Sequence, residues 1–385
     1  MIPRLLGTRA QQMATWFPVV SVMGPRQSGK STLLRHTFPS YEYLNLETRN
    51  LRIAAQRDPV GFINSRPSHL FIDEAQYAPD LFPEIQAAAD ERHEMGQYLL
   101  SGSQNFLLLQ HVDESLAGRV GIMQLLPLSY REAMQANPDL TPDMFMFRGW
   151  YPHLHEVDMP EATYFRSYIT TYIQRDVAEI LDVRNLQSFR TFLKLCAQNA
   201  GQLVNISKLA VETGVSNKTA KEWLSILTSS YIIFMLPPYA SNERKRLTKT
   251  AKLYFYDTGL LSYLLGITSV EQLVLHKKRG EVFENLIIEE TLKKHLNADE
   301  EPELYFYRDS NQVEVDLMDM TDVGNPQLIE IKSGQTARDD FCKHLVTVGN
   351  ELGMPAEQRS VVYRGDTDFS NAVASFVSAR TFLTR

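Results

Sequence analysis

Cysteine is scarce in this chain of 385 residues, and long apolar runs and an excess of positive charge are missing. Two cysteines, Cys196 and Cys342, are too few for a disulfide framework or a cysteine-based metal site. The strongly apolar runs end after a few residues, as in 231–236, whereas a membrane-spanning helix needs about 20. The first residues also lack the apolar core of a signal peptide. We therefore expect a cytoplasmic protein with reduced thiols and no membrane partner.

The charge balance excludes a protein that is basic throughout. The chain has 46 acidic and 39 basic residues, which give a net charge of −7. Because dedicated nucleic-acid binders are usually basic, contact with DNA would need a local basic patch. The content of 44% hydrophobic and 22% charged residues is ordinary for globular proteins. The length indicates two or three domains.

A glycine-rich loop carries the clearest chemical signal. It matches the pattern G-x-x-x-x-G-K-[ST] and comprises Gly24, Pro25, Arg26, Gln27, Ser28, Gly29, Lys30 and Ser31, followed by Thr32. A buried strand is predicted over 17–23 and a helix from Thr32 onward, so backbone N–H groups would surround an anion at a helix N-terminus. In such loops the lysine, here Lys30, contacts the β- and γ-phosphates, and the hydroxyl of Ser31 ligates Mg²⁺. The motif predicts that the protein binds ATP and Mg²⁺.

A phosphate loop of this kind also needs an acidic group for the metal. The apolar run Leu70 to Ile72 predicts a strand that ends in Asp73 and Glu74. We expect Asp73 to hold Mg²⁺ through water and Glu74 to act as the general base that polarises the attacking water. The alternative is a pair of surface acids that follows a strand.

Two further candidates belong to the same module. Strands predicted over 41–46 and 97–100 extend the sheet, and Ser103, with Asn105 as second choice, would lie between the catalytic acid and the γ-phosphate. A helix-capping serine is the alternative. Arg119 precedes the next predicted strand, and we expect it to reach the γ-phosphate of a neighbouring subunit as an arginine finger. An ordinary surface arginine is the other interpretation.

The order of these motifs resembles that of AAA+ ATPases. The segments 99–103, 116–119 and 126–132 are similar to one AAA-type family of bacteria and archaea, whose members carry a C-terminal domain of unknown function. The similarity covers nearly the whole chain. It implies an α/β protein with a P-loop AAA+ ATPase core, a winged-helix middle domain and a nuclease-like C-terminal fold. An arginine finger acting in trans implies a homo-oligomer such as a hexameric ring.

A helix-turn-helix pattern follows a helix predicted over 164–181. Two short helices and two strands of a wing are predicted over 204–210, 217–227, 231–236 and 252–256. Gly214 would form the turn, and Ser207 and Ser216 would cap the two helices. In the preceding helix, Arg175 either contacts the nucleotide or pairs with a nearby acid, and we favour the structural role.

Basic residues cluster between the two wing strands and on the second helix. They are Arg244, Lys245, Arg246, Lys249 and Lys252 in the wing and Lys218 and Lys221 on the helix. Such side chains neutralise phosphates, which predicts DNA as a partner. Winged helices also serve as protein–protein modules, and that alternative predicts a protein partner.

The last module places acids on neighbouring elements. A predicted helix carries Glu284, one strand carries Asp316, and the next strand carries Glu330 and Lys332. Because strand side chains alternate, Glu330 and Lys332 share one face. This set resembles the PD-(D/E)xK nuclease fold, which implies a divalent metal held by the carboxylates and a water positioned by Lys332. A solvated charged hairpin and an inactive nuclease fold are the alternatives.

The sequence therefore predicts three domains. They are an ATPase core over 1–160, a helical linker and winged helix over 161–275, and a restriction-endonuclease-like domain over 276–385. The predicted function is Mg²⁺-dependent ATP hydrolysis that acts on or remodels DNA. In the alternative, ATP binding is a switch and the C-terminal modules recruit a protein, as in defence or toxin–antitoxin regulation.

Overall fold

A computed structural model describes residues 2–66, 68–102, 116–172, 177, 186–240 and 250–385. The chain divides into two compact units. The first comprises Met1–Leu128, Ser229–Tyr231 and Leu296–Asp299, and the second comprises Ser129–Thr228, Ile232–His295 and Glu300–Arg385. The first unit thus ends well before the predicted boundary at residue 160. Both of the predicted C-terminal modules fall in the second unit.

The first unit is built on a five-stranded parallel sheet. Its strands are β1 (Val19–Met23), β2 (Glu42–Asn45), β3 (Leu70–Asp73), β4 (Tyr98–Gly102) and β5 (Val120–Gln124). They lie in the order β2-β3-β4-β1-β5, so β4 separates β1 from β3. Every residue of β1, β3 and β4 is buried, as expected for central parallel strands that are covered on both faces. The strands predicted from the apolar runs are confirmed.

Helices cover both faces of this sheet. They are α1 (Leu6–Trp16), α2 (Lys30–Thr37), α3 (Arg49–Arg57), α4 (Pro59–Asn64) and α5 (Leu81–Arg92). Alternate residues of β1 enter different cores: Val20 and Val22 pack with α1 and α2, whereas Val19 and Met23 pack with α4 and α5. This period of two is what an extended strand imposes. The resulting sandwich holds the carboxyl ends of the strands in one fixed row.

The second unit begins with helices and a short hairpin. The helices are α6 (Tyr130–Ala136), α7 (Pro142–Arg148), α8 (Pro152–Glu156), α9 (Glu161–Tyr172), α10 (Leu186–Gln198), α11 (Ile206–Thr213) and α12 (Asn217–Ser229). Antiparallel strands β6 (Ile233–Leu236) and β7 (Lys252–Phe255) follow. The predicted helix pair and both predicted wing strands are confirmed as secondary structure. The helix predicted over 164–181 is described only to Tyr172, and Arg175 lies outside the described residues.

Side-chain caps define where α11 and α12 begin. The Asn205 side chain accepts a hydrogen bond from the Lys208 backbone N–H at 2.9 Å, so Asn205 caps α11. The predicted cap, Ser207, lies inside that helix because α11 begins one residue earlier. Ser216 caps α12 as predicted, through the Thr219 N–H at 3.0 Å. Between the helices, Gly214 adopts a left-handed φ of 70°, which glycine tolerates without steric cost.

The rest of the second unit is a mixed α/β assembly. It comprises α13 (Thr258–Leu264), α14 (Val270–Leu275), α15 (Arg279–Ala298), β8 (Leu304–Arg308), β9 (Glu314–Asp319), β10 (Gln327–Lys332), α16 (Lys343–Leu352), β11 (Arg359–Tyr363), β12 (Phe369–Ser370), β13 (Ser375–Ser378) and α17 (Ala379–Thr384). The sheet order is β12-β13-β11-β10-β9-β8. Strands β8, β9 and β10 are antiparallel, whereas β10 and β11 are parallel. No helix among the described stretches is long and apolar enough to cross a membrane.

Buried polar bonds explain why the residues after Leu128 join the second unit. The Tyr130 N–H donates to Glu290 Oε2 at 2.8 Å, and the Trp150 N–H donates to Asp257 Oδ2 at 2.6 Å. Both carboxylates and both N–H donors are buried, and a buried N–H that lost its partner would cost about 1–3 kcal/mol. Helices α6 to α8 are therefore tied to elements near residues 257 and 290, and this places the division of the chain near Leu128.

A contact between two glycines in this region generates a stability prediction. A Cβ added at Gly259 in α13 would lie 2.6 Å from Gly149 Cα, so Gly259→Ala forces the backbone apart. We expect a loss of about 1–3 kcal/mol, the usual cost of overpacking, seen as a lower thermal midpoint. In the control Gly280→Ala in α15, the nearest atom is Ser333 Oγ at 3.8 Å, and we expect no loss. Equal midpoints for the two variants would contradict this packing.

Candidate functional site

The loop after β1 is shaped by residues with positive φ. Gly24, Gln27 and Gly29 have φ values of 149°, 63° and 96°. A Cβ at Gly24 would lie 2.1 Å from the Leu125 carbonyl oxygen, so only glycine fits at the start of the loop. Gly29 is the residue from which α2 starts. The loop thus turns tightly enough to point backbone N–H groups inward, as a phosphate-binding loop requires.

Lys30 brings a buried positive charge to this loop. It is the first residue of α2 and is 5% exposed. Its Nζ donates to the carbonyl oxygens of Gly24 at 2.9 Å and Pro25 at 2.8 Å. Burial lowers the pKa of Lys30 to about 8, although the nearby Glu74 and Asp73 oppose that shift. The ammonium is thus held on neutral carbonyls, which an anionic phosphate can replace as a stronger partner.

Asp73 is fixed by two hydroxyl groups at the end of β3. The Ser101 hydroxyl donates to Asp73 Oδ1, and the Tyr43 hydroxyl donates to Oδ2 at 2.7 Å. The register explains both contacts, because Tyr43 pairs with Phe71 on one side and Leu100 pairs with Ile72 on the other. Asp73 is almost fully buried. Its orientation is therefore set by the sheet and does not depend on a surface loop.

Ser101 is a polar contact of Asp73 that the sequence patterns did not predict. Ser103, with Asn105 as second choice, is predicted to lie between the catalytic acid and the γ-phosphate, and both lie outside the described residues. The strand continues to Gly102, two residues further than predicted, so Ser101 is a strand residue. A serine within an otherwise apolar central strand is the signal that would have identified it, since a buried hydroxyl needs a partner.

Glu74 follows Asp73 in an unusual backbone conformation. Its φ is 54° and its ψ is 47°, a left-handed geometry for a residue with a side chain. Gln76, which is buried, donates from Nε2 to Glu74 Oε2. Strain of this kind costs about 1–3 kcal/mol and is concentrated at functional sites.

Arg4 is a part of this site that the sequence did not reveal. Its guanidinium donates to the carbonyl oxygens of Ser28 and Leu126, each at 2.6 Å. It therefore joins the loop to the segment that follows β5. Another loop residue, Arg26, lies 3.9 Å from Glu47. No sequence motif marks Arg4, because its contacts are to backbone atoms far away in the chain.

Arg119 lies at the amino ends of the strands, whereas the loop lies at their carboxyl ends. It precedes β5, and Val120 pairs with Val19, the first residue of β1. The loop follows the last residue of β1, and five strand residues span about 16 Å. Arg119 instead donates from Nε to Asp90 Oδ1 at 2.6 Å. It cannot serve the loop of its own subunit, so a role in a neighbouring subunit stays a prediction.

The predicted basic residues have different positions. Lys218 and Lys221 are exposed on α12, and Lys218 lies 4.0 Å from Glu222. The prediction that Lys252 contacts phosphate is wrong, because this residue is buried in β7 and bonded to carboxylates. The others are outside the described residues, namely Arg244, Lys245, Arg246 and Lys249.

The structure brings the four acidic-site residues of the second unit close together. Asp316 Oδ2 accepts the Ile331 N–H at 2.8 Å, and Lys332 Nζ donates to Glu330 Oε1. Burial and the neighbouring Asp316 raise the pKa of Glu284 to about 7 and that of Glu330 to about 8. Three carboxyl groups from α15, β9 and β10 therefore interact electrostatically, as the spacing predicted.

This cluster differs from the predicted metal centre. Within the described part of the chain, no group of three His, Cys, Asp or Glu side chains is arranged to hold a metal ion. Lys252 Nζ lies 3.3 Å from Glu284 Oε1, and the Tyr254 hydroxyl donates to the same oxygen. Glu330 is engaged by Lys332. The residues as placed do not fit a divalent metal, because lysine ammonium groups occupy one oxygen of Glu284 and one oxygen of Glu330.

The chain is similar to known proteins over most of its length. The AAA domain model matches residues 17–134. The uncharacterized protein Rv2008c of Mycobacterium tuberculosis is 32% identical over 357 residues, which cover 91% of this chain and 78% of that protein. The chain belongs to this family of AAA-domain proteins. Mb2031c of Mycobacterium bovis matches equally, and the uncharacterized protein MJ1544 of Methanocaldococcus jannaschii is 22% identical over 345 residues, which cover 80% of this chain and 73% of that protein.

Two domains of unknown function cover the rest of this AAA-domain protein. The models DUF8612 and DUF4143 match residues 141–271 and 279–382. Among solved structures, the Walker-type ATPase PABY2304 of Pyrococcus abyssi aligns with a TM-score of 0.46 at 15% identity, covering 69% of this chain and 96% of that one. A similarity at that score supports no inference. The AAA match confirms the predicted nucleotide-binding P-loop core.

The buried position of Lys30 generates a pH prediction. Bound phosphates stabilise the ammonium, so the pKa of Lys30 rises from about 8 on binding. Below pH 8 Lys30 is already protonated, so nucleotide binding takes up no proton. Above it, binding takes up a proton, and Mg-ATP affinity falls by up to tenfold per pH unit. Calorimetry at pH 7.5 and 9 in buffers of different ionisation enthalpy measures both effects.

The control for this pH dependence is Lys30→Arg. Its guanidinium stays charged over the whole range, so its affinity, even if weaker, should not change between the two pH values. Proton uptake of equal size in both proteins would assign the linkage to a group other than Lys30.

Proposed function

We propose that this AAA-domain protein hydrolyses ATP with Mg²⁺ and uses the cycle to control binding to DNA. The observation that carries the ATPase proposal is the fixed position of Asp73. Ser101 and Tyr43 hold its carboxylate at the end of β3, in the row of strand ends that includes the loop after β1. Glu74 follows directly, so a metal-binding acid and a base are adjacent.

The residues around the loop have separable tasks. The loop N–H groups and Lys30 would bind the phosphates, while Ser31 and Asp73 would hold the ion. Bound Mg²⁺ would neutralise charge on the β- and γ-phosphate oxygens. Glu74 would accept the proton of the attacking water, and Gln76, which donates to it, orients its carboxylate. The hydroxyls of Ser101 and Tyr43 hold the Asp73 carboxylate in one orientation, since both donate to it.

The ATPase proposal is tested by Glu74→Gln. An amide cannot take the proton of the water, so turnover should fall about 10²–10⁴-fold, the usual contribution of a general base. Mg-ATP affinity should stay within about twofold of wild type, because the phosphate contacts remain. The matched control is Glu47→Gln, an exposed glutamate near Arg26, which should retain turnover. Wild-type turnover in the Glu74 variant would remove this residue from the mechanism.

We further propose that the active form is an oligomer in which Arg119 completes the site of the next subunit. Two observations support this. Arg119 precedes β5 at the amino ends of the strands, too far from the loop of its own chain, and its guanidinium is held near the surface by Asp90. A charge presented in this way at the opposite end of the strands suits an arginine finger acting in trans.

The oligomer proposal predicts complementation between two inactive variants. Arg119→Ala should bind Mg-ATP normally and lose hydrolysis by about 10³-fold or more. Lys30→Ala should not bind nucleotide. Mixing them restores part of the activity, because an intact loop can then meet an intact Arg119. No recovery in the mixture, together with a monomeric mass in the presence of ATP, would overturn the proposal.

The DNA proposal rests on the helix pair and hairpin of the second unit. Helix α12 presents Lys218 and Lys221 to solvent, and the described helices and strands have the order of a winged helix. The alternative is a protein-recruiting module. It is favoured by Glu222 beside Lys218 and by Val211 on α11, which is 81% exposed, since exposed apolar groups of this kind contribute to protein contacts.

Charge reversal distinguishes these two functions. Lys218→Glu with Lys221→Glu should weaken duplex DNA binding for all sequences, since phosphates carry no sequence information. The slope of log affinity against log salt should shrink by about 0.9 per lost phosphate contact. The control is Lys294→Glu with Lys343→Glu, which changes the net charge equally at exposed sites elsewhere. Equal losses in both doubles would place the DNA contact away from α12.

A further inference from the structure

Lys252 is the cation that the hairpin β6–β7 contributes to the acidic cluster. Its side chain is 5% exposed and reaches two carboxylates, Glu314 at 2.7 Å and Glu284 at 3.3 Å. Both acids belong to other elements, β9 and α15. Although burial opposes it, the charges of Glu284, Asp316 and Glu314 raise the pKa of Lys252, so the group is an ammonium.

The cluster contains more carboxyl groups than described cations to balance them. Its acids are Glu284, Glu314, Asp316 and Glu330, and its cations are the buried Lys252 and the partly exposed Lys332. Only Arg308, which lies 3.5 Å from Glu314 and is partly exposed, adds to them. Glu330 Oε2 is buried without a hydrogen-bond partner. A buried oxygen of this kind costs free energy, so the loss of Lys252 would leave the acids of the cluster still further from charge balance.

We propose that Lys252 is the resident cation of this cluster and that it excludes divalent metal ions from it. A metal ion such as Mg²⁺ or Mn²⁺ needs several oxygen ligands at short distance. Glu284 and Glu314 each give an oxygen to the Lys252 ammonium instead. Because the lysine is tethered, it competes as an intramolecular ligand at high effective concentration. The wild-type second unit therefore binds no divalent metal here and does not cut DNA.

This assignment differs from an ordinary buried ion pair in a way that can be measured. If Lys252 only stabilised the fold, its removal would lower stability and metal would not restore it. If it stands in the place of a metal, its removal leaves a set of acids without a cation. Mn²⁺ should then bind those acids and recover the lost stability, since a ligand that binds only the folded state stabilises it.

The experiment measures Mn²⁺ binding to the full-length, nucleotide-free protein by electron paramagnetic resonance and by thermal midpoint. Lys252→Met should lower the midpoint, and Mn²⁺ at roughly one hundred times its Kd should raise it again by about 5 °C. Bound Mn²⁺ should increase by about one ion per chain over wild type. Lys252→Gln serves as a second variant should the methionine side chain pack badly.

Two further variants control for location and for burial of lysine in general. Adding Asp316→Asn to Lys252→Met should abolish the gained Mn²⁺ site, because Asp316 lies within the cluster. Lys293→Met removes another buried lysine, which bridges Glu289 at 2.9 Å and Glu290 at 2.8 Å. This variant should lose stability, and Mn²⁺ should not restore it, since Glu289 and Glu290 do not belong to the acidic cluster.

Several outcomes would overturn the proposal. The proposal requires that the gained site is absent from wild type. An equal Mn²⁺-dependent shift of the thermal midpoint in wild type and Lys252→Met would show that the lysine does not exclude the metal. Folded Lys252 variants that bind no Mn²⁺ would show that metal is absent for another reason. Persistence of the gained site after Asp316→Asn would place the ion elsewhere. ATP turnover measured on the same samples reports on the first unit alone, so this inference and the ATPase proposal fail independently.

Discussion

The position of β4 between β1 and β3 is the constraint on which the nucleotide site depends. Because all three strands are parallel and in register, their carboxyl ends lie side by side, and Ser101 is adjacent to both Val22 and the end of β3. If β1 lay directly beside β3, the strand that carries the Ser101 hydroxyl would no longer lie next to Asp73. The sheet therefore sets the distance between the phosphate loop and the acid, and the loops that follow only complete the site.

Three buried lysines of this molecule differ in the groups that bond to them. Lys30 is held by carbonyl oxygens, and burial lowers its pKa, since among the described residues no carboxylate bonds to it directly. Lys293 lies between two glutamates and 3.5 Å above the Trp150 ring. Lys252 is bonded to carboxylates of two other elements. Only the first of these lysines has partners weak enough for a phosphate to replace them, which is consistent with its role in binding an anion.

The two units thus differ in whether their charged groups are arranged for catalysis. In the first, the strained backbone at Glu74 and the fixed carboxylate of Asp73 form a preorganised arrangement, which favours catalysis because little must be reoriented during the reaction. In the second, two lysines of the same chain hold oxygens of Glu284, Glu314 and Glu330, which favours stability over metal binding.

Much of the first unit follows from the sequence by itself. The alternation in β1, the glycines at 24 and 29, and the apolar run that ends in Asp73 determine a phosphate loop and its acid, because local backbone geometry and strand burial are encoded within a few neighbouring residues. The helix pair at α11 and α12 is encoded in the same way. What only the tertiary structure decided are contacts between distant residues: Ser101 and Tyr43 on Asp73, Arg4 on the loop, and Lys252 among the acids of α15 and β9. Register and packing bring those groups together, and no local pattern in the chain specifies which charge will neutralise which.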